Sequence, residues 1–221
     1  MGRAVDFAAE RARLAERLVR SGHLRDARVR EAFLAVPREG FVQPADRADA
    51  YADVPLPIGL GQTISAPSMI AIMLEEACLQ PGEHVLEIGT GSGYQAALLA
   101  RLVGPSNVVT IERHPALAEL GRSNLLRAGF GDVAVVVGDG SLGYPERAPY
   151  DCIMATAGAP RITDAWPSQV RPGGRIVAPI GSSRHGQVLV VATRDADGSL
   201  RMRESTPCAF VPLVGAQAWP D

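Results

Sequence analysis

The sequence predicts an α/β fold: a doubly wound, mostly parallel sheet of seven strands with an N-terminal helical cover. Three observations carry this. From Pro81 onward, short apolar runs alternate with helix-length segments, as when crossover helices join parallel strands. One run, "VLEIG", passes through Gly89-Thr90-Gly91-Ser92-Gly93 directly into a helical pattern. Before Pro81 the texture differs, with helical periodicity and then a stretch rich in Pro and Gly. A chain of 221 residues suits one domain. It is read as a single unit over 1–221, with the cover and a substrate loop in 1–79 and the α/β core in 80–221.

Taken in order, Asp6 to Val36 places Leu14, Leu18 and Val19, then Val29, Phe33 and Leu34, at helical spacing. The break at Ser21-Gly22-His23 divides this into two short helices. Val36-Pro37 ends the second, because a residue before proline is pushed out of the α region. Arg38 to Pro67 is expected to be irregular. A helix follows to about Leu79, with Met69, Ile70, Met73, Leu74 and Ala77 on one stripe, Pro67 in its first turn, and Ser65 or Ser68 as its cap. "HVLEIG", "VVTIE", "VAVVVGD", "YDCIMATA" and "GGRIVAPI" are five strands. "SGYQAALLARLVG" and "PALAELGRSNLLRAG" are helices between the first three, and "ITDAWPSQV" is a helix before the fifth. "QVLVVATR" and "LRMRESTPCAFVPLV" form a closing hairpin across Asp195 to Ser199, where "DADGS" has turn chemistry, and add an antiparallel edge.

Composition narrows the function. Net charge is −2, so no sequence-wide basic field points to nucleic acid or an anionic membrane. No apolar run approaches the roughly 20 residues that span a bilayer. The N-terminus is charged throughout and lacks the apolar stretch of a signal peptide. Asp6 breaks the myristoylation pattern that Gly2 would open. The expectation is a cytoplasmic monomer. Cys78, Cys152 and Cys208 are odd in number and far apart, which fits buried reduced thiols. His23, His84, His114 and His185 are equally dispersed, so no metal site is expected. All 22 basic residues are arginine; without lysine there is no Walker-type phosphate loop, no Schiff base and no lysine general base.

The strand–loop–helix around Gly89 to Gly93 predicts an adenosine-containing cofactor at the carboxyl ends of the strands, where glycines let the backbone approach a ligand. A dinucleotide fingerprint reads GxGxxG and holds a pyrophosphate on the helix N-terminus. Here the spacing is GxGxG, preceded by Glu87. An acidic residue repels phosphate but attracts a sulfonium or an ammonium group. The pattern therefore favours S-adenosylmethionine (SAM), with S-adenosylhomocysteine as product, bound by Glu87, Gly89, Thr90, Gly91 and Gly93. Glu112, nineteen residues after Gly93, is placed to accept from both ribose hydroxyls. Asp139 in "GDG" is expected to accept from the adenine amino group, with Gly140 letting the backbone approach the ring.

With these residues in view, the chain resembles the protein-L-isoaspartate O-methyltransferase family. The resemblance extends beyond the cofactor motif, over about residues 10–216. It is carried in family order by "VPREGFV" (36–42), "YADVPLPIGLGQTIS" (51–65), "VLEIGTGSGYQAALLA" (85–100), "GDGSLGYPERAPYD" (138–151), "TAGAP" (156–160) and "FVPLVG" (210–215). It implies a Rossmann-like SAM-binding sheet with modified C-terminal topology. The implied substrate is an isoaspartyl residue in a damaged protein or peptide, methylated on its free α-carboxylate so that the ester re-closes to succinimide. The hydroxyl ending "GQTIS", here Ser65, is the family's assigned active-site residue. Gln62, Thr63 and Ile64 share its loop, Val211 and Pro212 are further substrate-groove candidates, and Thr156 is retained beside the cofactor. The chain departs from many members at Ser68, where they carry His or Tyr.

An α-carboxylate has a reference pKa of about 3.3–3.7, so at neutral pH the acceptor is already ionised and needs no general base. Ser65 is therefore read as a hydrogen-bonding orienter. It has no GxSxG elbow and no evident His or Asp partner. Near-neutral charge disfavours an RNA methyltransferase, the 51–65 signature disfavours a small-molecule acceptor, and GxGxG with Glu87 disfavours a NAD-dependent oxidoreductase. An aspartimide-forming relative is expected to carry an appended C-terminal domain. A SAM-binding interaction protein without catalysis is the alternative of a different class.

Overall fold

The computed structural model describes residues 5–183 and 186–219. The readings of Met1-Gly2 and of His185 lie outside the described residues. Helix α1 (Phe7–Arg20) begins where Asp6 accepts from the Ala9 N–H, and α2 (Ala27–Ala35) where Asp26 accepts from the Arg28 N–H at 2.8 Å. These side chains satisfy backbone donors that a helix start leaves free. The two expected helices are thus present.

The segment expected to be irregular is partly regular. After two short 3-10 helices, Arg38–Gly40 and Pro44–Asp49, strands β1 (Leu56–Gly59) and β2 (Gln62–Ile64) form an antiparallel hairpin. Leu56, Ile58 and Ile64 are buried, while Pro57 and Thr63 are exposed. That is the period-two pattern of a half-buried strand, masked in the sequence by the prolines and glycines between. Helix α3 (Pro67–Ala77) has Pro67 in its first turn as expected, but neither Ser65 nor Ser68 caps it. Instead Asp53 Oδ1 reaches across the loop and accepts from the Ser68 N–H at 2.8 Å.

The α/β part follows the expected order: β3 (Val85–Ile88), α4 (Tyr94–Val103), β4 (Val108–Glu112), α5 (Pro115–Arg127), β5 (Ala134–Val137), β6 (Tyr150–Ala155), α6 (Ala165–Gln169), β7 (Val170–Ser183), β8 (Gly186–Arg194) and β9 (Leu200–Cys208). The seven-stranded sheet has the order β5-β4-β3-β6-β7-β8-β9. β3 to β7 run parallel, and β8 is antiparallel to both of its neighbours. The expected fold class therefore holds, antiparallel edge included. One strand ends earlier than the sequence suggested. β9 stops at Cys208, and "FVPLV" leaves the edge to run back over the sheet, where Pro212 bridges Gly158. Pro207 and Pro212 bracket the departure, and neither can donate to a ladder.

Strand alternation divides the core. Val85, Val108, Cys152, Met154 and Val177 join α1 to α4 in one cluster, so the N-terminal elements and the sheet share a core. Leu86, Ile88, Ile111, Ile153 and Ile176 join Trp166, Tyr150 and Leu213 on the other face. The free cysteines are not all buried as expected. Cys152 is buried, but Cys78 is exposed because it caps α3 at φ 47° with its thiol turned onto the Glu75 carbonyl.

Candidate active site

Sheet order reverses between β3 and β6, and in such sheets a crevice opens at the carboxyl ends of the diverging strands. The residues just beyond those ends are Gly89 and Thr156. They touch: Thr156 Oγ1 donates between the carbonyls of Ile88 (3.0 Å) and Gly89 (2.8 Å). Gly89 has φ 101°, and a Cβ there would overlap Thr156 Oγ1. Only glycine lets the loop leave β3 this way.

The rest of the loop is held by neighbouring elements. Glu112, ending β4, accepts the Gly91 N–H on Oε2 (2.9 Å) and the His114 N–H on Oε1 (3.0 Å). Asn124 on α5 donates to the Ser92 carbonyl at 2.9 Å. Gly93 starts α4 and abuts Gly121 and Leu125 of α5. Thr90 bonds Thr110 at 2.8 Å, and Thr110 donates to Glu87 Oε2 at 2.6 Å. Glu87 is fully buried, and its Oε1 has no partner among the described residues. Burial pushes its carboxyl up to about 8; the Thr110 hydrogen bond opposes that rise and the nearby Glu112 charge adds to it.

Three cavities meet here. The first, about 600 Å³ with its mouth, has walls of Ile58, Ile88, Ile111, Leu117, Leu213 and Val214 and a polar side of Glu112, Arg113 and His114; Gln62, Thr63, Gly89, Gly91, Gly140, Thr156, Val211 and Pro212 also border it. A Cβ at Gly140 would lie 2.5 Å from Ile88 Cγ2, so this glycine lets the chain form its floor. The second, about 330 Å³, is more polar, with Glu87, Thr90, Ser92, Tyr94 and Gln95 beside Ile64 and Ser65. The third, about 540 Å³, is lined by Pro55, Ser65, Ala66 and Met69 and by Ala209, Phe210 and Val211. Thr63 and Thr156 border all three, and Ser65 borders the second and third.

Asp139 follows β5 and is held by the turn after it and by the C-terminal segment. It is not among the residues bordering these cavities. Its Oδ1 accepts from the Ser141 N–H (2.9 Å) and hydroxyl (2.6 Å), and its Oδ2 from the Ala216 N–H (2.7 Å). Burial opposes ionisation of this carboxyl, but these hydrogen bonds outweigh it and hold the pKa below the usual value. Asp139 thereby anchors the C-terminal segment whose Leu213 and Val214 wall the first cavity. Thr110, Asn124, Arg113 and His114 were not singled out from sequence. Arg113 and His114 directly follow Glu112, a position that could have suggested them. Thr110 and Asn124 carry no local signal, since each acts through a contact made by tertiary folding. Among the described residues, no group of three or more His, Cys, Asp or Glu side chains could hold a metal.

The arrangement suits an adenosyl cofactor carrying a cation. The first cavity offers apolar walls to a ring and a carboxylate to a ribose. The second holds the buried Glu87 carboxyl with one unpartnered oxygen, a group whose ionised form an incoming positive charge would favour.

Comparison with known proteins agrees with that chemistry. Residues 9–218 match the model of the family described as protein-L-isoaspartate(D-aspartate) O-methyltransferase. Among similar relatives is a protein-L-isoaspartate O-methyltransferase of Hyperthermus butylicus, 54% identical over 96% of this chain and 92% of the relative. Another, of Methanopyrus kandleri, is 50% identical over 97% of this chain and 96% of the relative. A solved protein-L-isoaspartate O-methyltransferase superposes with a TM-score of 0.82 at 32% identity, covering 94% of this chain and 67% of its own. A putative protein-L-isoaspartate O-methyltransferase from Plasmodium falciparum, solved with S-adenosyl-L-homocysteine, superposes with a TM-score of 0.80 at 25% identity over 94% of this chain and 99% of its own.

Proposed function

The chain belongs to the protein-L-isoaspartate(D-aspartate) O-methyltransferase family, and on that premise we infer its reaction: methyl transfer from SAM to the free α-carboxylate of L-isoaspartyl residues in proteins and peptides, the opening step of repair through succinimide. The observation that carries the residue assignment is Ser65, on the wall shared by the polar second cavity and the third cavity. When bound, SAM supplies a methyl group on a positively charged sulfur. Glu87, Gly89, Thr90, Gly91 and Gly93 are the residues that would hold its charged end and loop contacts, and Glu112, Gly140 and Thr156 its nucleoside. Asp139 would accept from the adenine amino group, and it also holds the C-terminal wall of the nucleoside cavity through the Ala216 N–H.

The substrate enters through the third cavity, which Ala209, Phe210 and Val211 line together with Ser65. Ser65 offers one hydroxyl donor, which aims the carboxylate without over-stabilising it. Few, well-placed donors suit a nucleophile that must shed its charge. Gln62, Thr63 and Ile64 present the hairpin edge beside the passage, and Val211 and Pro212 the opposite lip. The remaining proposals are a monomer, a cytoplasmic location, and no nucleic-acid or membrane partner. The last is supported by the net charge of −2 and by no described helix being long and apolar enough to cross a membrane.

Two peptides differing only in Asp or isoAsp at one position, incubated with labelled SAM, test the reaction. Base-labile label on the isoAsp peptide alone is expected. Equal labelling, or none while calorimetry shows SAM bound, overturns it. Ser65→Ala is expected to lower kcat by about 10- to 100-fold, the loss of one positioning donor, with the SAM Kd within about twofold.

A further inference from the structure

Arg38 is a buried charge with no carboxylate in ion-pair contact; Asp53 acts on it only at longer range. It sits in the 3-10 turn after α2 at 0% exposure. Its contacts are neutral: Nε donates to the Ala50 carbonyl at 2.8 Å, Nη2 donates to the Ser65 carbonyl at 2.8 Å, and the guanidinium carbon lies 5.1 Å from the Tyr94 ring centroid. Neither Arg38 Nη1 nor the Tyr94 hydroxyl has a partner among the described residues. Burial brings the Arg38 pKa down to about 10, which still leaves it charged at neutral pH. Taking such a group out of water is costly, and an apolar side chain of similar volume would fill the space without that cost. An apolar side chain could not hold the Ser65 backbone, nor bring positive charge beside Ser65, one of the residues that border both the second and third cavities.

We propose that Arg38 is a positioning residue for methyl transfer: through Nη2 it fixes Ser65 between the two cavities, and its buried charge favours an anionic over a neutral occupant of the third cavity. The inference rests on reading that cavity as the isoaspartyl carboxylate site. Arg38 borders neither cavity and acts from behind Ser65. The reaction converts a carboxylate to a neutral ester, so a site with this preference holds substrate and lets product go. The field of one desolvated guanidinium in a low-dielectric interior is the kind that discriminates charge.

The test measures binding of two peptides to the SAH-loaded protein, one with an isoaspartyl α-carboxylate and one with the α-carboxamide in its place. Wild type is expected to bind the carboxylate at least tenfold more tightly. In Arg38→Met the preference should shrink by about tenfold, and in Arg38→Lys, which keeps the charge, it should stay within about threefold of wild type. Arg38→Lys loses the fork whose Nη2 holds the Ser65 carbonyl while Nε holds Ala50, so its kcat should fall about tenfold while the SAM Kd holds. A purely structural role would weaken both peptides equally and leave the ratio alone. No preference in wild type, or an unchanged ratio in a folded Arg38→Met, overturns the proposal. Should Arg38→Met fail to fold by circular dichroism, a kcat within twofold of wild type in Arg38→Lys overturns it instead. If Ser65→Ala leaves isoAsp turnover untouched, the reading of the site has failed, whatever the Arg38 variants do.

Discussion

At the scale of single residues, Gly89 shows how tightly backbone and cofactor loop are coupled. It combines φ 101° with contact against Thr156, whose hydroxyl satisfies the carbonyls of Ile88 and Gly89. An alanine there would face a disfavoured backbone region and displace that hydroxyl. Gly89→Ala is expected to cost about 3 kcal/mol, from roughly 1–2 for the backbone and about 1 for each weakened hydrogen bond. The SAM Kd should rise at least tenfold. Urea denaturation and calorimetry measure the two, and a variant within 1 kcal/mol of wild type would refute the account. Gly89 and Glu87 were legible in the sequence because a strand, a glycine run and a helix are contiguous there. Arg38 lay inside a quoted signature, yet one arginine among 22 gives no sign of being buried. Its role arises from contacts with Ala50, Ser65 and Tyr94, residues far apart in the chain and neighbours only after folding. Asp139 adds a contact of the same kind: one of its oxygens accepts from the Ala216 N–H, 77 residues further on, which no local pattern announces.

At the scale of elements, the start of α3 links stability to the site. Its first turn follows Ser65 directly, and the donor at Ser68 N–H is satisfied by Asp53 from the preceding loop. The side chain of Ser68 makes no hydrogen bond among the described residues; only its backbone is used. Asp53→Ala is therefore expected to cost about 1 kcal/mol, the usual value of a helix-start acceptor. It should also lower kcat/KM about threefold or more by loosening the turn beside Ser65. Ser68→Ala should stay within about 0.5 kcal/mol of wild type and keep its activity. Thermal melts and peptide kinetics on the two variants decide this, and a greater loss in Ser68→Ala than in Asp53→Ala would contradict it. The sequence pointed to a serine cap because Ser and Thr favour that position. A distant side chain doing the same work leaves no local trace. The β1–β2 hairpin was missed for a related reason: three buried residues at alternating positions are too few to stand out among prolines and glycines, although Leu56, Ile58 and Ile64 fix which face turns inward.

At the scale of the whole molecule, hydrogen-bonded carboxylates across the fold and one buried carboxyl in the cofactor site together set the pH dependence of stability. Asp26, Glu76, Asp139 and Asp151 all have carboxyl pKa values held below the usual range. Asp26 and Glu76 owe this chiefly to hydrogen bonds from Arg28 and Arg203; in Asp139 and Asp151 burial works against it, and hydrogen bonds from Ser141 and from His84 with Arg171 prevail. Groups depressed in the folded state contribute stability above their unfolded pKa values, and that stability is lost as pH falls through the folded ones. Glu87 runs the other way. Its folded value is raised from 4.5 to about 8, so between those limits the native state keeps a proton that the unfolded chain has released, and stability falls as pH rises. Together the two groups place the stability maximum of the cofactor-free protein near about pH 5, on the acid side of neutrality. Glu87→Gln keeps an acceptor for the Thr110 hydroxyl but cannot ionise. Its melting temperature should be nearly level between pH 5 and about 8, where wild type declines by several degrees, since about 1 kcal/mol corresponds to roughly 2–4 °C in a chain of this size. SAM brings positive charge toward the same carboxylate and favours its ionised form, so saturating SAM should raise the wild-type melting temperature more at pH 8 than at pH 5. Parallel melting curves for wild type and Glu87→Gln across that range would mean that the buried carboxylate does not titrate there. The decline would then have to come from another group.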